Sequence, residues 1–222
     1  HAVELLKRLD ATKLENEFPD FKKLLAFLKK QKEICIDVEA THVHPIKAEL
    51  VGLGFAVEPG IAWYVPLNGK LGQERVLKDL KPILENPQIG FYGHHMKYEL
   101  HVLQNHGIHL KNISFDTIIA SYILNTHHRQ HNLDALVLQL FGKVKIPITD
   151  LIGKGKNEIN MRDVPLDKIC EYCCEDADYT CRLKLHLEKE LKERKLDSLF
   201  FNLEMPLLRV LAEMEWEGIY LD

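Results

Sequence analysis

Two carboxylates stand two residues apart in Glu33-Ile34-Cys35-Ile36-Asp37-Val38-Glu39, a segment whose alternation predicts a β-strand. On a strand, Asp37 and Glu39 leave the same face, while Ile36 and Val38 point to the other face for packing. Adjacent acids repel and are costly to desolvate, and a divalent cation is the usual compensation. A strand end with solvated acids is the other reading of this pattern. Further on, Tyr172 and Asp176 lie four apart in a predicted helix and therefore stack on one face. Asp178 faces elsewhere, and Glu175 lies about 100° around the helix. A phenol held beside a metal-binding carboxylate can hydrogen-bond an attacking water. Taken alone, the pair is also an ordinary helix surface. Glu99 falls in the first turn or so of another predicted helix, where the helix dipole favours an acid whatever its use.

The remaining pattern predicts the scaffold that must position these groups. Residues 48–57 and 61–67 read as strands joined at Glu58-Pro59-Gly60, a turn sequence suited to a hairpin. Residues 75–84 read as a helix, 88–92 as a fourth strand, and 96–104 as a helix that Gly107 ends. A short fifth strand is expected at 114–117, followed by helices near 117–125, 132–141, 166–195 and 199–217. Pro165 suits the first turn of the long helix, where its missing N–H loses no bond. Residues 1–30 carry helical patterns, including Val3, Leu5, Leu6, Leu9 and Phe21, Leu24, Leu25, Phe27, Leu28. The longest irregular stretch, 142–163, holds Lys143, Lys145, Lys154, Lys156 and Arg162. Strands first, then alternation, then mostly helices argue for an α/β domain with a mixed sheet.

The chain has 222 residues, 46% of them hydrophobic, enough for one substantial domain with its own core. No apolar run approaches the roughly 18 residues that span a bilayer, so no membrane is expected, and nothing resembles a cleavable secretion signal. The first residue is His1 rather than Met, which suggests a fragment. Four of the five cysteines crowd into 170–181, a poor disulfide framework that suits a reducing cytosol. Their spacing is not that of a zinc site, and small apolar helix residues are the expected role. The formal net charge of −4 does not advertise a nucleic-acid partner, although an acidic site needs only a local basic rim.

Taken together, Asp37-Val38-Glu39, the run Gly93-His94-His95-Met96-Lys97-Tyr98-Glu99 and Tyr172-Cys173-Cys174-Glu175-Asp176 resemble the three motifs of the DEDD exonuclease superfamily, tyrosine subclass. Other segments resemble the 3′–5′ exonuclease (proofreading) domain of the bacterial DNA polymerase I family (family A). They are Leu50-Val51-Gly52-Leu53, Ser121-Tyr122-Ile123-Leu124-Asn125, His131-Asn132-Leu133-Asp134, Gly153-Lys154-Gly155-Lys156-Asn157 and Glu175-Asp176-Ala177-Asp178. The likeness runs from about Ile34 to Asp222. Its last part resembles the entry to a polymerase domain, which gives a division into 1–30, an N-terminal helical segment, 31–200, the exonuclease domain, and 201–222, the start of the polymerase.

The resemblance implies a ribonuclease H-like fold with a five-stranded mixed sheet flanked by helices. It implies two-metal hydrolysis with Mg²⁺ or Mn²⁺, suited to oxygen-only ligands. Asp37 would bridge both ions, Glu39 and Asp176 would complete the first, Glu99 would help hold the second, and Tyr172 with Glu39 would orient the water. The implied partners are single-stranded or frayed 3′ ends of DNA and the polymerase domain of the same parent chain, in a monomer of the bacterial cytosol associated with the nucleoid. Val43 is a candidate wedge against terminal bases, an ordinary packed valine being the other reading. Lys154, Lys156 and Arg162 are candidates for phosphate contact or simply solvated loop charges. The pairs His94/His95 and His127/His128 suit surface or DNA contacts better than zinc. Two positions depart from the family's second motif: Glu99 stands where Asp is usual, adding roughly 1.5 Å of reach, and His95 replaces Asn. Two rivals follow from the same fold, a degenerate domain that only steadies DNA and an RNA-trimming exonuclease.

Overall fold

A computed structural model describes residues 18–220; the helical pattern read at Val3, Leu5, Leu6 and Leu9 lies outside them. The first element is α1 (Phe18–Leu28), which buries Phe21, Leu24 and Leu28 in the main core. Five strands follow with helices between them: β1 (Glu33–Ala40), β2 (Leu50–Glu58), β3 (Ile61–Pro66), α2 (Gln73–Leu84), β4 (Gly90–Gly93), α3 (Met96–Asn105) and β5 (Ile113–Asp116). They form one sheet in the order β3-β2-β1-β4-β5. The β1–β2 and β2–β3 ladders are antiparallel, and the β1–β4 and β4–β5 ladders are parallel. The mixed five-stranded sheet is thus the expected one, with the Asp37–Glu39 strand at its centre.

The rest of the chain is helical: α4 (Thr117–Leu124), α5 (Leu133–Phe141), α6 (Ile148–Ile152), α7 (Leu166–Glu193) and α8 (Met205–Glu217). The long α7 crosses β1, β2 and β3 and buries one side in the sheet, through residues such as Cys173, Ala177, Leu183 and Leu187. Two expectations need correction. The stretch 142–163 is not wholly irregular, since Pro147 and Gly153 bracket the short α6 and two single 3₁₀ turns follow. The helix expected over 199–217 is interrupted by a π segment, Phe200–Glu204. Pro206, the second residue of the helix after it, has no N–H to offer the preceding turn.

The topology sets up a crevice. β4 pairs with the first part of β1, from Glu33 to Cys35, so Asp37 and Glu39 project past the end of that ladder. Chain direction also reverses there, because β1 has an antiparallel neighbour on one side and a parallel one on the other. Crevices at the carboxyl ends of strands where order reverses are the usual binding sites of open α/β sheets.

Candidate active site

The acids are brought together from β1, α3 and α7. On β1, Asp37 is half-buried and Glu39 is 5% exposed. The close approach of α7 depends on Gly54, which lies directly opposite Asp37 on β2. A Cβ at that position would come within 2.6 Å of the Cys173 sulfur. With no side chain at Gly54, Cys173 settles against the strand, its thiol 3.5 Å from Asp37 Oδ2. Tyr172 and Asp176 then face the same opening, which is a cleft of about 680 Å³ lined by Asp37, Glu39, Tyr172 and Asp176.

Glu99 enters from below. The N-terminus of α3 is fixed by Asp116, whose carboxylate accepts the Met96 N–H at 2.7 Å and caps α4 through Ile118 N–H (2.8 Å) and Ile119 N–H (3.1 Å). His95, just before α3, adopts a left-handed conformation (φ 82°) that swings its ring into the cleft wall. Glu99 is 3% exposed, and the backbone N–H of Val38, between the two β1 acids, partly opposes the rise in its pKa. An acid in this place is not a solvated helix surface, which is what the helix dipole alone would have allowed.

Electrostatics set these carboxylates apart from ordinary ones. Burial raises Asp37 to about 6, against the opposing pull of the Cys173 thiol and the Lys145 charge. Burial, then repulsion from Asp37 and Asp176, holds Glu39 well above the usual range. Glu99 is raised by burial and by both β1 acids, and Asp176 is raised to about 8 by burial in spite of Lys145. Among the described residues, Glu39 Oε1 and Glu99 Oε2 are buried without a hydrogen-bond partner. Buried acceptors left this way lose their hydration with nothing in return. Oxygen atoms with free lone pairs, clustered around a shared charge problem, fit a divalent cation of the Mg²⁺ or Mn²⁺ kind. Zinc fits less well. The ligand atoms of Asp37, Glu39 and Cys173 lie within 4.8 Å of one another, but only one of the three is sulfur.

The other sequence candidates separate clearly. Val43 is 90% exposed at the cleft mouth, which removes the packed-valine reading. His95 and the nearby Tyr98 also line the cleft, and the Tyr98 hydroxyl donates to the His42 carbonyl at 2.7 Å. His94, expected near the surface, turns inward: Nδ1 sits 2.7 Å from Thr117 Oγ1, and burial lowers its pKa to about 3. Lys154, Lys156 and Arg162 are exposed and do not line the cleft, and Arg162 pairs with Glu49. Sequence reasoning missed three contributors. Ile148 and Ile159 add exposed apolar side chains to the cleft. The third is Lys145, whose fully buried side chain reaches Asp176. The only sequence signal for it was membership of a basic stretch.

Comparison with known proteins agrees with this geometry. The sequence model of a family described as 3′–5′ exonuclease matches residues 17–192. DNA polymerase I of Pseudomonas aeruginosa is 36% identical over 210 residues, covering 89% of this chain but 23% of its own length. The chain therefore spans less than a quarter of that relative. Among solved structures, the POL domain of Pol1 from M. smegmatis, in complex with DNA primer-template and dNTP, superposes with a TM-score of 0.74. It is 22% identical, and the match covers 93% of this chain and 32% of that one. NrnC of Brucella melitensis with bound Mg²⁺ gives a TM-score of 0.67 at 21% identity, over 86% of this chain and 88% of its own. These neighbours share the ribonuclease H-like arrangement of sheet and flanking helices. The chain belongs to the 3′–5′ exonuclease family and, within it, to the domain carried by DNA polymerases I.

Proposed function

We propose that this domain removes nucleoside 5′-monophosphates from the 3′ end of DNA as the proofreading part of a DNA polymerase I. The observation that carries this reading is the pair of orphaned carboxylate oxygens, Glu39 Oε1, beside Asp37 in the cleft lining, and Glu99 Oε2, buried outside that lining. Two divalent cations, when bound, would polarise the scissile phosphate and make water a competent nucleophile near neutral pH. Asp37, Glu39 and Asp176 are the residues to hold one, and Asp37 with Glu99 the other. Tyr172 keeps its phenolic proton, because burial and the adjoining Asp176 raise its pKa. It can therefore donate to the attacking water while Glu39 accepts from it. Val43, Ile148 and Ile159 offer apolar contact to splayed bases, and His95 faces the same space. That combination suits a frayed single strand better than a stacked duplex end. Lys154, Lys156 and Arg162 would lie along the outgoing strand.

The partner reading rests on α8. Its inner face holds Met205, Leu208 and Ala212 against the domain, while Leu207, Val210, Leu211 and Met214 are exposed. A polymerase domain in the same chain is the natural cover for that side, with 201–222 as its beginning, 31–200 as the exonuclease and 1–30 as a leading segment. Among the described residues no helix is long and apolar enough to cross a membrane. A monomer in the bacterial cytosol, near the nucleoid, is the setting that fits DNA as substrate.

Digestion of 5′-labelled single-stranded DNA with Mg²⁺ or Mn²⁺ tests the reading, beside Asp37→Ala and Glu99→Asp. The expected result is a ladder shortening from the 3′ end, reduced at least about 100-fold in Asp37→Ala, since metal ions supply several kcal/mol. No cleavage by well-folded protein with either metal would leave the degenerate, DNA-steadying domain as the better account. Equal trimming of an RNA strand would move the substrate class to RNA.

A further inference from the structure

Lys145 reaches the acid cluster from the segment after α5, and the roles proposed above give it no part. Its side chain has no solvent exposure, and its ammonium bonds the Asp176 carboxylate. The same nitrogen lies 3.5 Å from Asp134 and 5.1 Å from the centre of the Tyr172 ring. The next residue is tied down as well, since the Ile146 N–H donates to Glu175 at 2.7 Å. A long, flexible ammonium remains buried only where carboxylates offset its desolvation, and here two of them do. Asp176, meanwhile, is absent from the compact group of ligand atoms formed by Asp37, Glu39 and Cys173. Asp176 is therefore bonded to a side-chain cation, with no oxygen within 4.8 Å of all three of those atoms.

We propose that Lys145 is a positioning residue for Asp176, a resident counter-cation that holds this carboxylate until Lys145 is displaced. The inference rests on the metal-dependent reading above and adds a competition to it. Lys145 must leave Asp176 before that carboxylate can ligate a divalent cation. The metal-free site is then better neutralised, and its metal affinity lower, than the acids alone would give.

The test is Mn²⁺ binding, followed by the electron paramagnetic resonance of the free ion, for the wild-type chain, Lys145→Met and Lys145→Arg. Lys145→Met should bind at least about tenfold more tightly, because a charge-assisted hydrogen bond no longer has to be broken. Lys145→Arg keeps a cation and should stay within a few-fold of wild type. In chelator, Lys145→Met should melt below the wild type, and saturating Mn²⁺ should raise its Tm by more. Equal or weaker binding by Lys145→Met, or equal tightening by both variants, would overturn the proposal. If Lys145→Met does not fold, lysine acylation of wild-type protein, read by peptide mass spectrometry, decides. Lys145 protected in chelator and modified under saturating Mn²⁺ supports the displacement; protection unchanged by bound Mn²⁺ refutes it. Absence of Mn²⁺ binding by both wild type and Lys145→Met would sink the metal-dependent reading and this inference together. Equal binding by both would sink the inference alone.

Discussion

Two sets of buried carboxylates in this domain look alike in the sequence and differ completely in their surroundings. Asp116 has three backbone N–H groups on its oxygens, two of them at the start of its own helix. Asp178 accepts the Gly60 N–H at 2.5 Å and the Arg182 guanidinium at 2.9 Å, fastening the β2–β3 turn to α7. Glu39 and Glu99, a short distance away, each keep a buried oxygen with no partner. The first set is satisfied by the fold and holds it together. The second set keeps an unpaired buried oxygen on each acid and is raised in pKa by burial and neighbouring acids, offset only in part by Cys173 and Lys145 at Glu39 and by the Val38 N–H at Glu99. On the reading proposed above, the acids that hold the fold are completed by its own donors, whereas Glu39 and Glu99 are left for a cation that arrives later.

The sharpest way to break this contrast is to neutralise one acid from each set in metal-free protein. Asp116→Ala should cost about 3 kcal/mol, because it strands three N–H groups that the carboxylate now satisfies. Glu99→Gln should cost nothing and could add up to about 1 kcal/mol, since it removes a buried charge that has no counter-ion of its own. Urea denaturation in chelator measures both. Equal destabilisation by the two changes would erase the distinction.

A smaller effect comes from pH. Asp37 has a folded-state pKa of about 6, against roughly 4 for an unfolded carboxyl. Between these values the folded chain holds a proton that the unfolded chain has released. The stability this gives is full below about pH 4 and is lost as pH rises through 6. His94, lowered to about 3, works in the opposite direction over the same range, so melting in chelator is compared between wild type and Asp37→Asn. From about pH 4 to 6.5 the wild-type Tm should fall by a few degrees relative to that of Asp37→Asn. A relative rise over this window would contradict the assignment.

Much of this site was legible because its spacing is local. Asp37 and Glu39 share a face by the two-residue period of a strand, and Tyr172 and Asp176 by one helical turn. The succession of strands and helices along the chain followed from where apolar alternation gave way to helical periodicity, and Pro165 marked the start of α7 correctly. What escaped was set by contacts across the chain. Glu99 was singled out only through the resemblance, because it lies between Lys97 and His101 in a pattern that reads as surface, and its burial comes from the packing of α3 on the sheet. Lys145 lies in a segment without periodicity, 31 residues from the carboxylate that it meets. Ile148 and Ile159 reach the cleft because Pro147 and Gly153 fold a short helix into a stretch that reads as loop. Asp116 lies in the stretch read as a fifth strand, and neither its cap on α4 nor its bond to Met96 was read from the sequence.

The central claim is that the orphaned oxygens of Glu39 and Glu99, with Asp37 and Asp176, are metal ligands. Anomalous diffraction from crystals of the wild-type chain soaked in MnCl₂ tests it most directly. The account predicts Mn²⁺ peaks bounded by Asp37, Glu39 and Asp176 on one side and by Asp37 and Glu99 on the other. Crystals that take up Mn²⁺ elsewhere and leave this cluster without a peak would contradict it.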